Sequence, residues 1–195
     1  METDVELLNR LRDGDEEAFV MLVHRYQQPM LRLARSMVPN QAVAEEAVQD
    51  TWMSVVRGID RFQGRSSLKT WLFRILINRT RSAGSREYLN APIESLHAVD
   101  PDRFDAQGQW ADPLERWVEE TEDRLDAVRW LPILKTALDD LPLRQRQVVI
   151  LRDVEGLSSD EACDLLGISA GNQRILLHRG RGRLRGILEA HMGED

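Results

Sequence analysis

The chain has one cysteine in 195 residues, so it can close no disulfide of its own. Nothing around Cys163 has the spacing of a metal-ligand set. The four histidines, His24, His97, His178 and His191, are scattered. No nucleophile stands beside a base or a metal cluster, so an enzyme is the least supported class and no cofactor or metal is expected. No apolar run approaches the roughly eighteen residues that cross a bilayer, so membrane insertion is not expected. The opening METDVELLNR is acidic and lacks the basic start and apolar centre of a secretory signal. A soluble, cytoplasmic protein is the simplest expectation. With 42% apolar residues the chain can build packed cores, and its length suits one or two small domains.

Aromatic residues are also scarce, at 6%, yet three of them gather in one charged stretch. Arg57 to Arg86 holds eight bases (Arg57, Arg61, Arg65, Lys69, Arg74, Arg79, Arg81, Arg86) and one acid, Asp60. Phe62, Trp71 and Phe73 are interleaved with them. Bases can track a phosphate backbone, and aromatic faces can stack on unpaired nucleobases. An amphipathic helix with a basic polar side would look the same, and this stretch alone leaves both readings open.

The formal net charge of -7 hides a segregation. Residues 1–56 carry -5, residues 57–86 carry +7 and residues 87–126 carry -9. Residues 127–171 sum to -2, residues 172–188 to +5 and the last seven to -3. Two basic islands flanking an acidic tract suggest two anionic contacts and a linker that avoids them.

Nearly every periodic stretch reads as helix. Val5, Leu7, Leu8 and Leu11 form a short helix stopped near Gly14, and Asp15 caps the next. Pro29 should disturb that second helix before Pro39-Asn40 ends it. A third covers Gln41 to about Gly58, with Val43, Ala44, Ala47, Val48, Met53, Val55 and Val56 as its apolar side. Glu45, Glu46, Gln49 and Asp50 then lie opposite, either as a solvated face or as a docking face for a basic partner. After the loop around Phe62, Ser66 or Ser67 caps a fourth helix running to about Ser82, with Leu68, Trp71, Leu72, Ile75 and Leu76 buried. Trp71 therefore belongs to the core, and Phe62, in the loop, is the better stacking candidate.

Residues 87–111 read as linker, followed by a helix start at Asp112-Pro113-Leu114-Glu115. A second domain begins near Val128, and Pro142 opens a helix ending near Gly156. Ser158 and Glu161 make a capping box for a short helix with Ala162, Cys163, Leu165 and Leu166 inside. Gly167-Ile168-Ser169 is a tight turn, and a last helix runs from Ala170 to about Ala190 with Leu177, Leu184, Ile187 and Leu188 buried. Short helix, glycine turn and longer basic helix make a helix-turn-helix, whose second helix enters the DNA major groove. The expected fold is all-α: two small helical domains, 1–86 and 128–195, joined by an acidic linker at 87–127.

Several words in order carry a family resemblance. In the first domain they are Gly14-Asp15-Glu16-Glu17-Ala18-Phe19, Ala44-Glu45-Glu46-Ala47-Val48-Gln49-Asp50 and Thr70-Trp71-Leu72-Phe73-Arg74-Ile75-Leu76-Ile77-Asn78. In the second they are Leu141-Pro142-Leu143-Arg144-Gln145-Arg146, Glu155-Gly156-Leu157-Ser158 and Leu166-Gly167-Ile168-Ser169. The chain resembles the extracytoplasmic-function branch of the bacterial sigma-70 family of RNA polymerase sigma factors. The resemblance implies a transcription initiation factor, not an enzyme, that binds core RNA polymerase and directs it to promoters.

It also implies site residues. Glu45, Glu46, Gln49 and Asp50 resemble the docking face for the polymerase clamp helices. Phe62, Arg65, Ser66, Arg74, Asn78, Arg79, Arg81 and Ser82 fall where the family reads a melted minus-10 element, with one base flipped out. Asn172, Arg174, Ile175, His178, Arg179 and Arg181 fall where it reads the minus-35 element as duplex. Gly171-Asn172-Gln173 departs from a usual Gly-Thr-Val, so Gln173 stands at an apolar core position. Expected partners are core RNA polymerase (clamp helices and flap), promoter DNA and an anti-sigma factor. The linker resembles a segment that threads toward the template strand. Two rivals remain: a conventional dimeric helix-turn-helix regulator, which leaves the loop around Phe62 without a role, and a protein-only adaptor acting through its acidic linker.

Overall fold

The computed structural model describes residues 4–82 and 124–192. The linker and the helix start expected at Asp112 lie outside the described residues. Every regular element among those described is helical: α1 (Asp4–Arg12), α2 (Glu16–Arg35), α3 (Gln41–Gly58), α4 (Leu68–Ser82), α5 (Arg124–Asp139), α6 (Leu143–Val149), α7 (Ser159–Leu166) and α8 (Ala170–Met192). A 3-10 turn, Ile59–Arg61, follows α3, and a π-helical turn, Ile150–Val154, continues α6. By contact the described residues form two compact units. One joins α1–α4 to the stretch Ile150–Gly167, and the other joins α5 and α6 to the chain from Ile168 onward.

Local chemistry accounts for the ends of the first unit's helices. Gly14, with φ +79°, takes the left-handed turn after α1. The Asp15 carboxylate accepts from the Glu17 and Ala18 N–H groups and so caps α2. A hydrogen bond from Arg10, first among several causes, holds that carboxyl below its usual range. Asn40 caps α3 by accepting from Val43 N–H at 3.0 Å. Of the two serines expected to cap α4, Ser67 does so, its Oγ accepting from Thr70 N–H at 3.0 Å.

Pro29 does not interrupt α2, which runs unbroken from Glu16 to Arg35. The buried Tyr26, Met30, Leu31, Leu33 and Ala34 hold the helix on both sides of the missing donor. The stripe of α3 also differs from expectation. Ala44, Ala47, Val48, Thr51, Trp52 and Val55 face inward, whereas Met53 is 53% and Val56 56% exposed. The inward set keeps the i, i+3, i+4, i+7 spacing, which Met53 and Val56 break. Trp52 donates from Nε1 to Gln27 Oε1 at 2.6 Å and meets the Phe19 ring edge-on at 5.9 Å. From α4, Leu68, Leu72, Phe73, Leu76 and Ile77 complete the core with Leu7, Leu22, Met30 and Met37.

Tyr26 anchors α1. Its hydroxyl donates to Asp4 Oδ2 at 3.2 Å, and Asp4 also pairs with Arg25 at 2.8 Å. Burial, then the Asp4 charge, pushes the phenol from its ordinary 10.0 up to about 12. A raised folded value means a contribution that is whole below pH 10.0 and lost as pH climbs toward about 12. Melting curves followed by circular dichroism should therefore show an alkaline loss of stability in that window. Tyr26→Phe should remove that component of the loss.

In the second unit, α5 passes through Pro132 without a break. Ala137, Leu141, Val148 and Val149 are buried, with Leu176 and Leu177 from α8. Leu184, Ile187 and Leu188, expected in the core, are only half-buried. The buried stripe of α8 lies earlier, at Gln173, Leu176, Leu177 and Gly180.

Candidate nucleic-acid and polymerase interface

Three helices present the residues singled out by the sequence. On α3, Glu45, Glu46, Gln49 and Asp50 are all exposed. Gln41 Nε2 donates to Glu45 Oε1 at 2.6 Å along the same helix. The face is acidic and opposite the buried stripe, and Met53 and Val56 extend it with exposed apolar surface one and two turns on.

On α4, the spacing of Arg74, Asn78, Arg81 and Ser82 places them on one side, with Arg79 adjacent. Arg74, Asn78, Arg79 and Arg81 are exposed, while the Ser82 side chain lies outside the described residues. Arg79 donates to Ser54 Oγ at 2.8 Å, which ties it to α3. Arg65 is exposed in the loop before α4, and Ser66 beside it is half-buried.

Phe62 requires a correction. It was expected to offer a free ring, but it is only 6% exposed and lies 5.0 Å from Trp71, tilted by 45°. Its carbonyl accepts from Arg12 at 2.5 Å. The loop therefore folds its aromatic inward, because an apolar ring beside a half-buried indole leaves water at little cost. Trp71 is half-buried, not a full core member.

On α8, Ser169 Oγ accepts from Asn172 N–H at 3.2 Å and starts the helix. Gly167, with φ +67°, closes α7 in the left-handed conformation, its N–H donating to the Cys163 carbonyl. Ser158 and Glu161 form the expected capping box at the other end of α7. Gln173 is buried, as expected of an apolar position, while Arg174 is exposed and Ile175 is 52% exposed. Leu176 is buried, so of the adjacent apolar pair only Ile175 is available for contact. Asn172, His178, Arg179 and Arg181 are half-buried on the remaining surface. Burial, then the Arg179 charge, lowers the His178 ring below its usual range, so the imidazole favours its neutral form.

Among the described residues no cluster of histidine, cysteine or carboxylate could hold a metal ion, and no helix is long and apolar enough to cross a membrane. Cys163, expected inside α7, is half-buried.

Residues 22–87 match the profile of sigma-70 region 2, and residues 131–184 match that of sigma-70 region 4. The ECF RNA polymerase sigma-E factors of Escherichia coli K12 and Haemophilus influenzae are each 27% identical over 179 residues. That alignment covers 92% of this chain and 91% or 92% of the relative. The chain belongs to the extracytoplasmic-function branch of the sigma-70 family. It directs RNA polymerase to promoters and is an initiation factor, not an enzyme.

Solved structures agree on the fold. The sigma factor RpoE of Bartonella quintana, solved with the anti-sigma factor NepR, has 26% identity and a TM-score of 0.55 over 88% of this chain and 96% of its own. CnrH, solved with the cytosolic domain of CnrY, has 24% identity and a TM-score of 0.56 over 97% and 99%.

One polar centre of this sigma factor escaped the sequence. The Glu155 side chain is only 3% exposed, and its carboxylate pairs with Arg32 at 2.8 Å and Lys69 at 3.0 Å. Lys69 Nζ also donates to the Glu155 carbonyl at 2.6 Å. Nearby, Thr70 donates to Glu161 at 2.6 Å, Arg81 donates to the Leu165 carbonyl at 3.1 Å, and Arg74 pairs with Asp164. No local signal predicts these partners, since each lies more than eighty residues away along the chain.

Proposed function

We propose that this sigma factor docks on core polymerase through α3, holds the melted minus-10 strand with α4, and reads the minus-35 duplex with α8. Glu45, Glu46, Gln49 and Asp50 would meet the basic surface of the clamp helices. Arg65, Ser66, Arg74, Asn78, Arg79, Arg81 and Ser82 would line the strand. Phe62 would buttress that surface from behind, and would reach a base only if the loop turned it outward. Asn172, Arg174, Ile175, His178, Arg179 and Arg181 would face the major groove, Ile175 meeting a thymine methyl. The observation that carries this reading is the exposed basic row on α4 backed by a buried apolar stripe. It offers phosphate-binding charge on a rigid support.

The complex of the Bartonella quintana relative with NepR supports an anti-sigma partner for this chain as well. The flap of the polymerase is a further proposed contact, for the second unit. The protein would work in the cytoplasm, where core polymerase is. Domain limits at 1–86 and 128–195 and threading of the acidic linker toward the template strand complete the reading.

Titration of the chain into core enzyme on genomic DNA, followed by sequencing of RNA starts, tests it. The expected result is a set of starts that share two upstream elements. Charge reversal by Arg174→Glu with Arg179→Glu should lower initiation from them about tenfold or more, since loss of each such duplex interaction costs roughly 1–3 kcal/mol. Absence of both core binding and transcript would overturn the assignment. Tight, specific duplex binding without polymerase would favour the dimeric regulator.

A further inference from the structure

The loop that carries Arg65 and Ser66 is pinned at both ends. At its exit, Ser67 Oγ accepts from Thr70 N–H at 3.0 Å and shares a 2.8 Å hydrogen bond with Thr70 Oγ1. At its entrance, Phe62 N–H donates to the Ile59 carbonyl at 3.1 Å, and the Phe62 ring lies against Trp71. The Phe62 carbonyl is held from another helix: Arg12, the last residue of α1, donates to it at 2.5 Å from 50 residues earlier. α1 lies outside the span matched to region 2, yet it is well seated. Leu7 and Leu8 are buried, and Asp4 binds Tyr26 and Arg25. Between the two pinned ends, packing does little to guide the tip. Gly64 has a φ of +69°, and a Cβ there would meet nothing within 4 Å.

We infer that Arg12 is a positioning residue for base reading: by holding the Phe62 carbonyl it sets the direction in which the loop leaves its 3-10 turn, and so where Arg65 and Ser66 meet the melted strand. The inference rests on the strand-reading role of this loop proposed above. Phe62 has φ -68° and ψ 116°, and ψ is the angle that orients its carbonyl. The packed ring fixes the side chain but leaves the peptide plane after it free to turn. A guanidinium on a braced helix restricts that plane, and the residues that follow inherit the restriction. The donor is charged, which makes the hydrogen bond stronger than a neutral one. A loop held in its binding conformation before the strand arrives loses less freedom on binding. Arg12 acts through the loop and needs no contact with a base. Its loss should therefore weaken discrimination among bases, while the grip on phosphates stays with the arginines of α4.

The test uses the full chain with core polymerase and fork-junction DNA bearing a mapped start, its single-stranded minus-10 bases replaced one at a time. Arg12→Ala is expected to cut the preference for the cognate bases about fivefold, the effect of losing one such hydrogen bond. The salt dependence of binding should stay as in the wild type. Tryptic cleavage after Arg65, followed by mass spectrometry of the chain without polymerase, should quicken about fivefold, because cleavage tracks the open fraction of the loop. Arg12→Lys, which can still donate to the carbonyl, should reverse most of both changes. Arg12 is exposed, so both variants keep the core. Either readout left unchanged in Arg12→Ala would overturn the inference, while discrimination by the wild type would still support the strand-reading loop. A uniform loss of binding to all sequences, with a salt dependence flattened by about 0.7, would make Arg12 a phosphate contact and overturn the inference too. If the wild type shows no preference among bases, the strand-reading role of the loop fails and the inference fails with it.

Discussion

Replacing Arg74, Arg79 and Arg81 together by glutamine should leave the sigma factor folded and bound to core polymerase, but unable to hold open DNA. Each side chain is exposed, so none contributes much to the core of its unit. The packing of α4 rests on Leu68, Leu72, Phe73, Leu76 and Ile77, which the substitutions do not touch. The interactions removed are surface ones, to Asp164, to Ser54 Oγ and to the Leu165 carbonyl. Their removal would cost little stability. Against a strand, the same three cations would neutralise up to three phosphates, and the salt dependence of binding should flatten by about 0.7 for each phosphate left without its cation. Open-complex yield at a cognate start, followed by permanganate reactivity of unpaired thymines, should fall on the order of 10²–10³-fold at physiological salt. Unchanged reactivity in a protein with a wild-type melting curve would remove α4 from the mechanism.

Such a separation of folding from function depends on which residues face outward, and there the sequence was an uneven guide. Caps were legible because their chemistry is local. Asp15, Ser67 and the Ser158–Glu161 box each satisfy N–H groups within three residues. The acidic face of α3 and the basic row of α4 were legible because a helix maps spacing onto a surface. Phe62 was misplaced because a loop has no period, and only the approach of Trp71 decides where its ring goes. Met53 and Val56 are apolar yet exposed, because on a helix the register and not hydrophobicity alone decides which side chains face the core. The burial and pairing of Glu155 are not legible in its own stretch: a carboxylate after an apolar run reads as a helix end, and its partners come from distant helices.

The C-terminal unit shows how far a single residue can be decisive. Gly180 lies buried in the middle of α8, where α8 meets α6. Glycine at a helix interior ordinarily costs about 1 kcal/mol relative to alanine, so Gly→Ala should stabilise unless space forbids it. Space does forbid it here. A Cβ at position 180 would stand 2.7 Å from Val149 Cγ2, with the Gln145 Cβ and carbonyl each at 3.5 Å. Val149 is buried and β-branched, so its methyl has few other rotamers to take. Overpacking of this kind costs typically about 1–3 kcal/mol, which matches or exceeds the propensity gain. Gly180→Ala should therefore be neutral to destabilising, and Gly180→Val, which adds two methyls at the same point, should unfold the helix pair by several kcal/mol. Gly186→Ala is the comparison, because a Cβ there meets nothing within 4 Å. It should raise stability by about 0.5–1 kcal/mol. Urea titration of the three variants orders them, and combining Gly180→Ala with Val149→Ala should recover part of the loss, since each removes the reason for the other's cost. If Gly180→Ala stabilises as much as Gly186→Ala, the close approach of α6 to α8 is wrong, and with it the register that turns Arg174, Ile175 and His178 outward.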